Sequence, residues 1–284
     1  MEILLIIHLN MYNIVIEYAN SIKKKILNSK ILVYTNSNDI IYNNQCYFIF
    51  FGIHFVNFPI INEPNVYYVN LEQLTRDGTY HIYNILDKAI IYKNLKCNLL
   101  DYSDENCNIL KKHNIQSIYL PYQVNLEEIY NYNKDYDFVT CCCWNERIEN
   151  IYKPLSLIFN KCYSIGNPIL WGKERDNILL KSKVLINIHH REKDYFILEE
   201  IRITRCILNK IIVISEDSLN HENYILSKYI IFTNYNNLIA KTSEVLNNYE
   251  YYYNLLYKDL DIDQINNELE KYISNFIKTK LINI

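Results

Sequence analysis

Short apolar runs alternate along the chain with stretches of helical spacing, the order in which a parallel α/β sheet is laid down. Ile3 to Ile7 is a run of strand length, and Ile14, Ile16, Tyr18 and Ile22 carry helical spacing that ends in Lys23 to Lys25 and a polar stop near Asn28. Ile31 to Thr35 is the next strand. That β-α-β order with short joints starts a parallel sheet. Tyr47 to Phe51 and Asn65 to Val69 predict two more strands, and Asn84 to Ile91 and Asn106 to Lys112 read as a helix followed by a strand or a second helix. Ile118 to Leu120 is a strand stopped by Pro121.

The polar, Tyr/Asn-rich segment Asn125 to Lys134 interrupts the pattern and predicts a domain joint. Beyond it the alternation restarts. Phe138 to Cys143 predicts a strand, Glu146 to Phe159 a helix, Lys161 to Ile165 a strand, Arg175 to Lys181 a short helix and Val184 to Ile188 a strand. Tyr195 to Leu208 then predicts a helix stopped at Asn209, Ile211 to Ile214 a strand closing on Ser215-Glu216, Tyr229 to Phe232 a last strand, and Asn237 onward helix. The expected architecture is α/β: two Rossmann-like domains with parallel sheets facing a central cleft, residues 1–130 and 131–284, the final helix free to pack back on the first.

Composition narrows the partners. A length of 284 residues with 50% apolar content fills two such cores. The net charge of −3 is spread along the chain with no basic stripe, so nucleic acid is not an expected partner. The apolar opening carries Glu2 and turns polar by Asn10, so it reads as a buried strand and not a signal peptide. No window supplies the roughly 20 apolar residues a bilayer crossing needs, and any membrane contact is expected to be peripheral. Of eight cysteines, Cys141, Cys142 and Cys143 are consecutive and none forms a C-x-x-C pair, which predicts a reduced, cytoplasmic protein with the triplet in a core strand.

Candidate chemistry concentrates between 166 and 216, where charges recur at the ends of elements. Glu199 and Glu200, in the first turns of a helix, suit the hydroxyl pair of a ribose, with Arg202 one turn on to fix the rotamer of Glu199. Gly172-Lys173-Glu-Arg175 and Arg147 stand at helix starts, where cations and free backbone N–H groups together suit a diphosphate. Each pattern also fits a solvated helix end. His189 and His190 end a strand, so one of them should enter the cleft, and no ligand set of metal spacing accompanies them. The D-x-D pairs at Asp135/Asp137 and Asp259/Asp261/Asp263 fall in the joint and a late helix and read as solvated charges, so no metal is expected.

The ordered strings Gly172-Lys-Glu-Arg-Asp, Ser182-Lys-Val-Leu-Ile-Asn-Ile-His189, Leu198-Glu-Glu-Ile-Arg202 and Val213-Ile-Ser-Glu216 resemble the C-terminal lobe of GT-B glycosyltransferases of the group 1 type. Asn70-Leu-Glu-Gln-Leu74, Asp101-Tyr-Ser103 with Asn106, and Tyr119-Leu-Pro-Tyr122 resemble acceptor-lobe landmarks of related proteins from microbes and large DNA viruses. The resemblance implies transfer of a sugar from a nucleotide-sugar donor on the C-terminal lobe to a carbohydrate, glycolipid or glycoprotein acceptor, with no cofactor or metal required. It implies Glu199 as the glutamate of the E-x-x-R element, Arg147, Gly172, Lys173, Arg175, Glu200, Arg202 and Glu216 as donor-side residues, and a lean toward retention. Glu192 and Glu200 also fit an E-x7-E spacing, a competing frame. Glu72 or a cleft histidine, His189 or His190, is the candidate base should the reaction invert. Only four glycines are present, where such lobes usually have glycine-rich loops, so a catalytically silent sugar- or nucleotide-binding protein is the alternative.

Overall fold

A computed structural model of the chain describes residues 2–52, 61–74, 98–190 and 197–281. The chain divides into two compact units, one made of Met1–Asn125 with Asp263–Ile284 and the other of Leu126–Ile262. Each is built on one sheet whose recorded pairings are all parallel. The α/β class and the pair of Rossmann-like units stand as the alternation implies.

In the first unit β1 (Glu2–His8), β2 (Ser29–Tyr34), β3 (Cys46–Phe51), β4 (Val66–Asn70), β5 (Asn98–Asp101) and β6 (Ser117–Tyr119) lie in the order β2-β1-β3-β4-β5-β6. The inner strands are covered on both faces, which is why they read as unbroken apolar runs and not as alternation: all of β4 and the last five residues of β3 are buried. Helix α1 (Tyr12–Lys23) buries Val15, Tyr18, Ala19 and Ile22; of the expected stripe Tyr18 and Ile22 are buried, whereas Ile14 is exposed and Ile16 half-buried, because the core-facing side is centred on Val15 and Ala19. Helix α2 (Asp104–Lys112) resolves the ambiguous segment as helix, capped by the Ser103 hydroxyl accepting from the Asn106 N–H. The expected helix at Asn84 to Ile91 lies outside the described residues.

The second unit contains β7 (Tyr136–Thr140), α3 (Glu146–Ser156), β8 (Cys162–Ser164), α4 (Gly172–Leu179), β9 (Ser182–Asn187), α5 (Glu200–Leu208), β10 (Ile212–Glu216) and β11 (Ile230–Thr233). Its sheet order is β11-β10-β9-β7-β8. Numbered from its own first strand, this is the 2-1-3-4-5 order of a doubly wound sheet, whose chain reverses direction between β7 and β9. Helices α6 (Leu238–Asn247), α7 (Tyr249–Tyr257) and α8 (Ile262–Phe276) follow. Helix α8 buries Ile265, Leu269, Ile273 and Phe276, with Phe276 edge-on to Tyr67 at 5.2 Å, so the last helix completes the first unit's core.

Three expectations are corrected. Residues Asn98–Asp101 form a strand that the pattern does not predict, because two leucines between polar neighbours are too short a run to register. The cysteine triplet is not strand: the ladder ends where Ile165 N–H donates to the Thr140 carbonyl, and Cys141, Cys142 and Cys143 run outward from buried through half-buried to exposed. Helix α5 starts at Glu200, with Glu199 as its N-cap, and Ile197 and Leu198 precede it as irregular chain.

Candidate functional site

A sheet of this order parts its loops to either side of the reversal, and ligands bind in the crevice so formed at the carboxyl ends of the strands. In the second unit that crevice lies between the loop after β7 and the loop after β9, and hydrogen bonds join the two. Asn145 caps α3 by accepting from the Ile148 N–H at 3.0 Å, which fixes its amide orientation. Its Nδ2 then donates to the His190 carbonyl at 2.7 Å and to His190 Nδ1 at 3.0 Å. The cap of one helix is thereby the clasp on the neighbouring loop.

Arg147, the second residue of α3, brings in the third loop. Its Nη2 lies 2.6 Å from Glu216 Oε1, its Nε donates to the His189 carbonyl at 3.3 Å, and its guanidinium carbon sits 4.0 Å from the centre of the Tyr235 ring. The Tyr235 hydroxyl returns a hydrogen bond to the Arg147 carbonyl at 2.7 Å. Glu216 Oε2 accepts from the His189 N–H at 3.1 Å, so the carboxylate is held from both sides. The two side chains are 18% and 12% exposed, a pair far more shielded than surface pairs of little worth.

His189 itself is buried, and its Nε2 lies 3.1 Å from the Asp217 carbonyl and 3.2 Å from Ser218 Oγ. A carbonyl only accepts, so Nε2 carries the ring proton and the imidazole anchors the turn after β10. Burial pushes its affinity for a second proton below the ordinary value of 6.5, outweighing the attraction of Glu216. The unfolded chain takes up a proton near pH 6.5 that the folded site accepts only in stronger acid. Stability should therefore fall as pH drops below about 6.5, and His189→Gln should flatten that slope in urea titrations run from pH 5 to 8.

A second pair stands beside this group. Arg202 Nη1 donates to Asn187 Oδ1 at 3.3 Å, and its Nη2 lies 3.9 Å from Glu199 Oε2. Asn187, the last residue of β9, donates to Ser215 Oγ at 3.0 Å and so fixes the acceptor that Arg202 meets. The Cys142 thiol, close enough to Arg202 and Glu199 to feel both charges, is pushed up to about 12 by burial and is inert as a nucleophile.

The candidate residues thus separate into groups. Arg147, His189, His190 and Glu216 converge, with Glu199 and Arg202 forming the second pair. Lys173 is exposed in the first turn of α4, next to Gly172. Arg175 is bound to its neighbour Asp176 through Nη2 at 2.6 Å and Nε at 3.0 Å, and Asp176 is in turn gripped by Arg205. Glu200 is buried in the first turn of α5, so of the two adjacent acids Glu199 is the more open to solvent. Glu192, of the competing E-x7-E frame, lies outside the described residues. Asn145, Asn187 and Tyr235 are site residues that spacing did not single out; only Asn145 left a signal, as a cap residue ahead of a helix.

Glu72 belongs to the first unit, where the Asn70, Asp101 and Asn106 landmarks meet in one buried network. Asp101 accepts from Asn70 Nδ2 at 2.8 Å, Asn106 Nδ2 at 2.9 Å and the Ser103 N–H at 3.0 Å. The same two amides donate to the Glu72 carbonyl at 2.8 and 2.9 Å, and Asn70 Oδ1 accepts from the Glu72 N–H at 3.1 Å. Both backbone groups of Glu72 are bound by side chains, which ties the chain just after β4 to the Asp101 network. Burial pushes the Asp101 carboxyl up to about 7, against the opposing pull of these bonds.

No family model matches the chain. The uncharacterized protein R358 of Acanthamoeba polyphaga mimivirus is 30% identical over 223 residues, covering 76% of this chain and 75% of that protein. The chain belongs to the R358 family. Another mimivirus protein, uncharacterized protein L137, is 31% identical over 250 residues, but the chain spans only 32% of its length. Among solved structures, an alpha1,3-fucosyltransferase with GDP-fucose aligns over 99% of this R358 relative and 91% of its own chain, at a TM-score of 0.45 and 14% identity. The same kind of enzyme with GDP aligns at 0.46 and 16%. Among the described residues of this R358-family chain, no helix is long and apolar enough to cross a membrane, and no three of His, Cys, Asp and Glu gather as a metal site would.

Proposed function

We propose that the chain is a glycosyltransferase whose second unit holds a nucleotide-sugar donor at the carboxyl ends of β7, β9 and β10. The observation that carries this reading is the convergence there of side chains from three loops, tied together by Arg147, Glu216 and Asn145, at the one place where a sheet of this order opens a crevice. Cores do not need such polar clusters, and a shielded ion pair is a costly way to join loops.

In this reading the N-termini of α3 and α4 offer backbone N–H groups to the diphosphate, with the exposed Lys173 as its counter-charge. Glu199 takes the ribose hydroxyls and Arg202 holds its carboxylate in place. Arg147 and Glu216, paired at 2.6 Å, offset one another's charge and keep the crevice in shape, so positive charge for the leaving diphosphate falls to Lys173. The group 1 resemblance and the acceptor role of the first unit belong to this proposal, with Glu72 held through its backbone by Asn70 and Asn106.

Titration calorimetry with UDP-, GDP- and TDP-sugars tests it. One of these donors should bind, and Lys173→Ala and Glu199→Ala should each weaken it about tenfold with the melting temperature within roughly 1–2 °C of the parent, as surface changes do. Absence of binding by every donor overturns the reading; binding with no donor turnover identifies the silent form.

A further inference from the structure

The sequence contains only two tryptophans, and the fold places both in loops at the carboxyl end of the second sheet. Trp144 follows β7 and is half-buried, its ring edge-on to Tyr152 at 5.5 Å. Trp171 follows β8 and differs from it. It is 39% exposed, it precedes α4 as the N-cap without any side-chain cap bond, and Ile169 beside it is 54% exposed.

The loop that carries Trp171 is cross-linked by backbone hydrogen bonds. Asn167 N–H donates to the Ser164 carbonyl and Leu170 N–H to the Ile165 carbonyl at 3.2 Å, with a bridge between Gly166 and Ile169 that closes a tight hairpin. That hairpin is pressed onto the loop after β7: a Cβ on Gly166 would fall 1.7 Å from the Cys142 carbonyl oxygen. The backbone leading to Trp171 is therefore held against the loop that borders the crevice. Just past it, Gly172 adopts φ +55, and apart from its chain neighbours and its own helix no heavy atom lies within 4 Å of where its side chain would begin; the exposed Lys173 comes next.

A solvent-exposed indole on a hydrogen-bonded loop, next to an exposed cation at a helix start, suits a ligand that has a flat aromatic ring joined to an anionic group. We propose that Trp171 is the stacking platform for the nucleobase of the donor, with Ile169 as an apolar flank; this rests on the donor reading above and adds the position of the base. Stacking is tolerant of base identity because every base has a π-face, so Trp171 supplies affinity and leaves the choice of nucleotide to other groups.

The two tryptophans make the test direct. The full chain is titrated with UDP, GDP and TDP, which lack the sugar, with the sugar nucleotides, and with inorganic pyrophosphate, following intrinsic fluorescence and calorimetry. A nucleoside diphosphate should quench the emission, Trp144→Phe should keep the quench and Trp171→Phe should lose most of it. Trp171→Ala should bind nucleoside diphosphates about tenfold more weakly and pyrophosphate as the parent does, with an unchanged melting temperature. Nucleoside diphosphate affinity in Trp171→Ala equal to the parent's overturns the proposal while the donor reading survives. A loss confined to the sugar nucleotides overturns it too, since the ring would then face the sugar. Failure of the parent to bind any nucleotide ends both.

Discussion

Arg205→Ala should destabilise the second unit by about 3–5 kcal/mol, the cost of breaking a buried ion pair by removing one partner. Arg205 is the side chain on which the far end of this unit depends. It is 4% exposed on α5, and its Nη1 and Nη2 reach Asp176 of α4 at 3.2 and 2.9 Å while Nε lies 3.2 Å from Glu128 Oε2. Truncation takes one guanidinium from two carboxylates that are 22% and 20% exposed, leaves Asp176 with Arg175 as its cation and empties a space shaped for a guanidinium. Arg205→Lys should recover little, because one ammonium cannot satisfy a bidentate partner and a second acid together.

The pH dependence identifies the cause. Burial alone would raise the Asp176 carboxyl, but the hydrogen bonds and charge of Arg205, with Arg175 adding to them, hold it below its ordinary value of 3.8. A carboxylate depressed in the folded state contributes stability above its unfolded value and loses it as pH falls through the folded one. The gap between parent and Arg205→Ala in urea midpoints should thus be wide at pH 7 and narrow below about pH 4. A gap independent of pH would mean that the loss is packing of the arginine stem and not its charge.

This cluster also shows what one sequence conceals. The string Gly172-Lys-Glu-Arg-Asp176 reads as a cationic helix start, and Lys173 keeps that character; Arg175 does not, because it pairs with its neighbour Asp176, which the distant Arg205 shares while also reaching Glu128. A charge at a helix start looks the same in sequence whether it faces a ligand or an ion pair, since the partner is set by tertiary packing. The same holds for Arg147 and Glu216. Each stands at an element end and is legible alone, but their pairing across 69 residues is not. Strands β1, β3, β9 and β10 were legible because burial on both faces writes them as unbroken apolar runs. Composition misled at the cysteine triplet for the converse reason: three small apolar residues after Phe138 and Val139 look like more strand, while the chain's exit is decided by the cap at Asn145 and by what Gly166 lets approach.

Gly166→Ala isolates that last constraint and should cost about 3 kcal/mol or more. Replacing glycine by alanine normally stabilises a compatible position by about 0.4–1 kcal/mol through the unfolded state. Here the new Cβ would lie 1.7 Å from the Cys142 oxygen, 2.8 Å from its carbonyl carbon and 3.0 Å from the Trp144 nitrogen, and all three are backbone. No rotamer change relieves such an overlap; the loops after β7 and β8 must part. Gly172→Ala makes the comparison, because its Cβ meets nothing and only φ +55 opposes it, a penalty of about 1–2 kcal/mol for a non-glycine residue. The order of urea midpoints should be parent, then Gly172→Ala, then Gly166→Ala. Parting the loops would also draw Asn145 away from His190, so amide exchange at Ile148, whose N–H the Asn145 cap accepts, should quicken in Gly166→Ala more than in Gly172→Ala. If Gly166→Ala instead matches the parent in both measurements, the two loops are not in contact at that point, and the rigid setting of the crevice rim that their contact provides is lost with it.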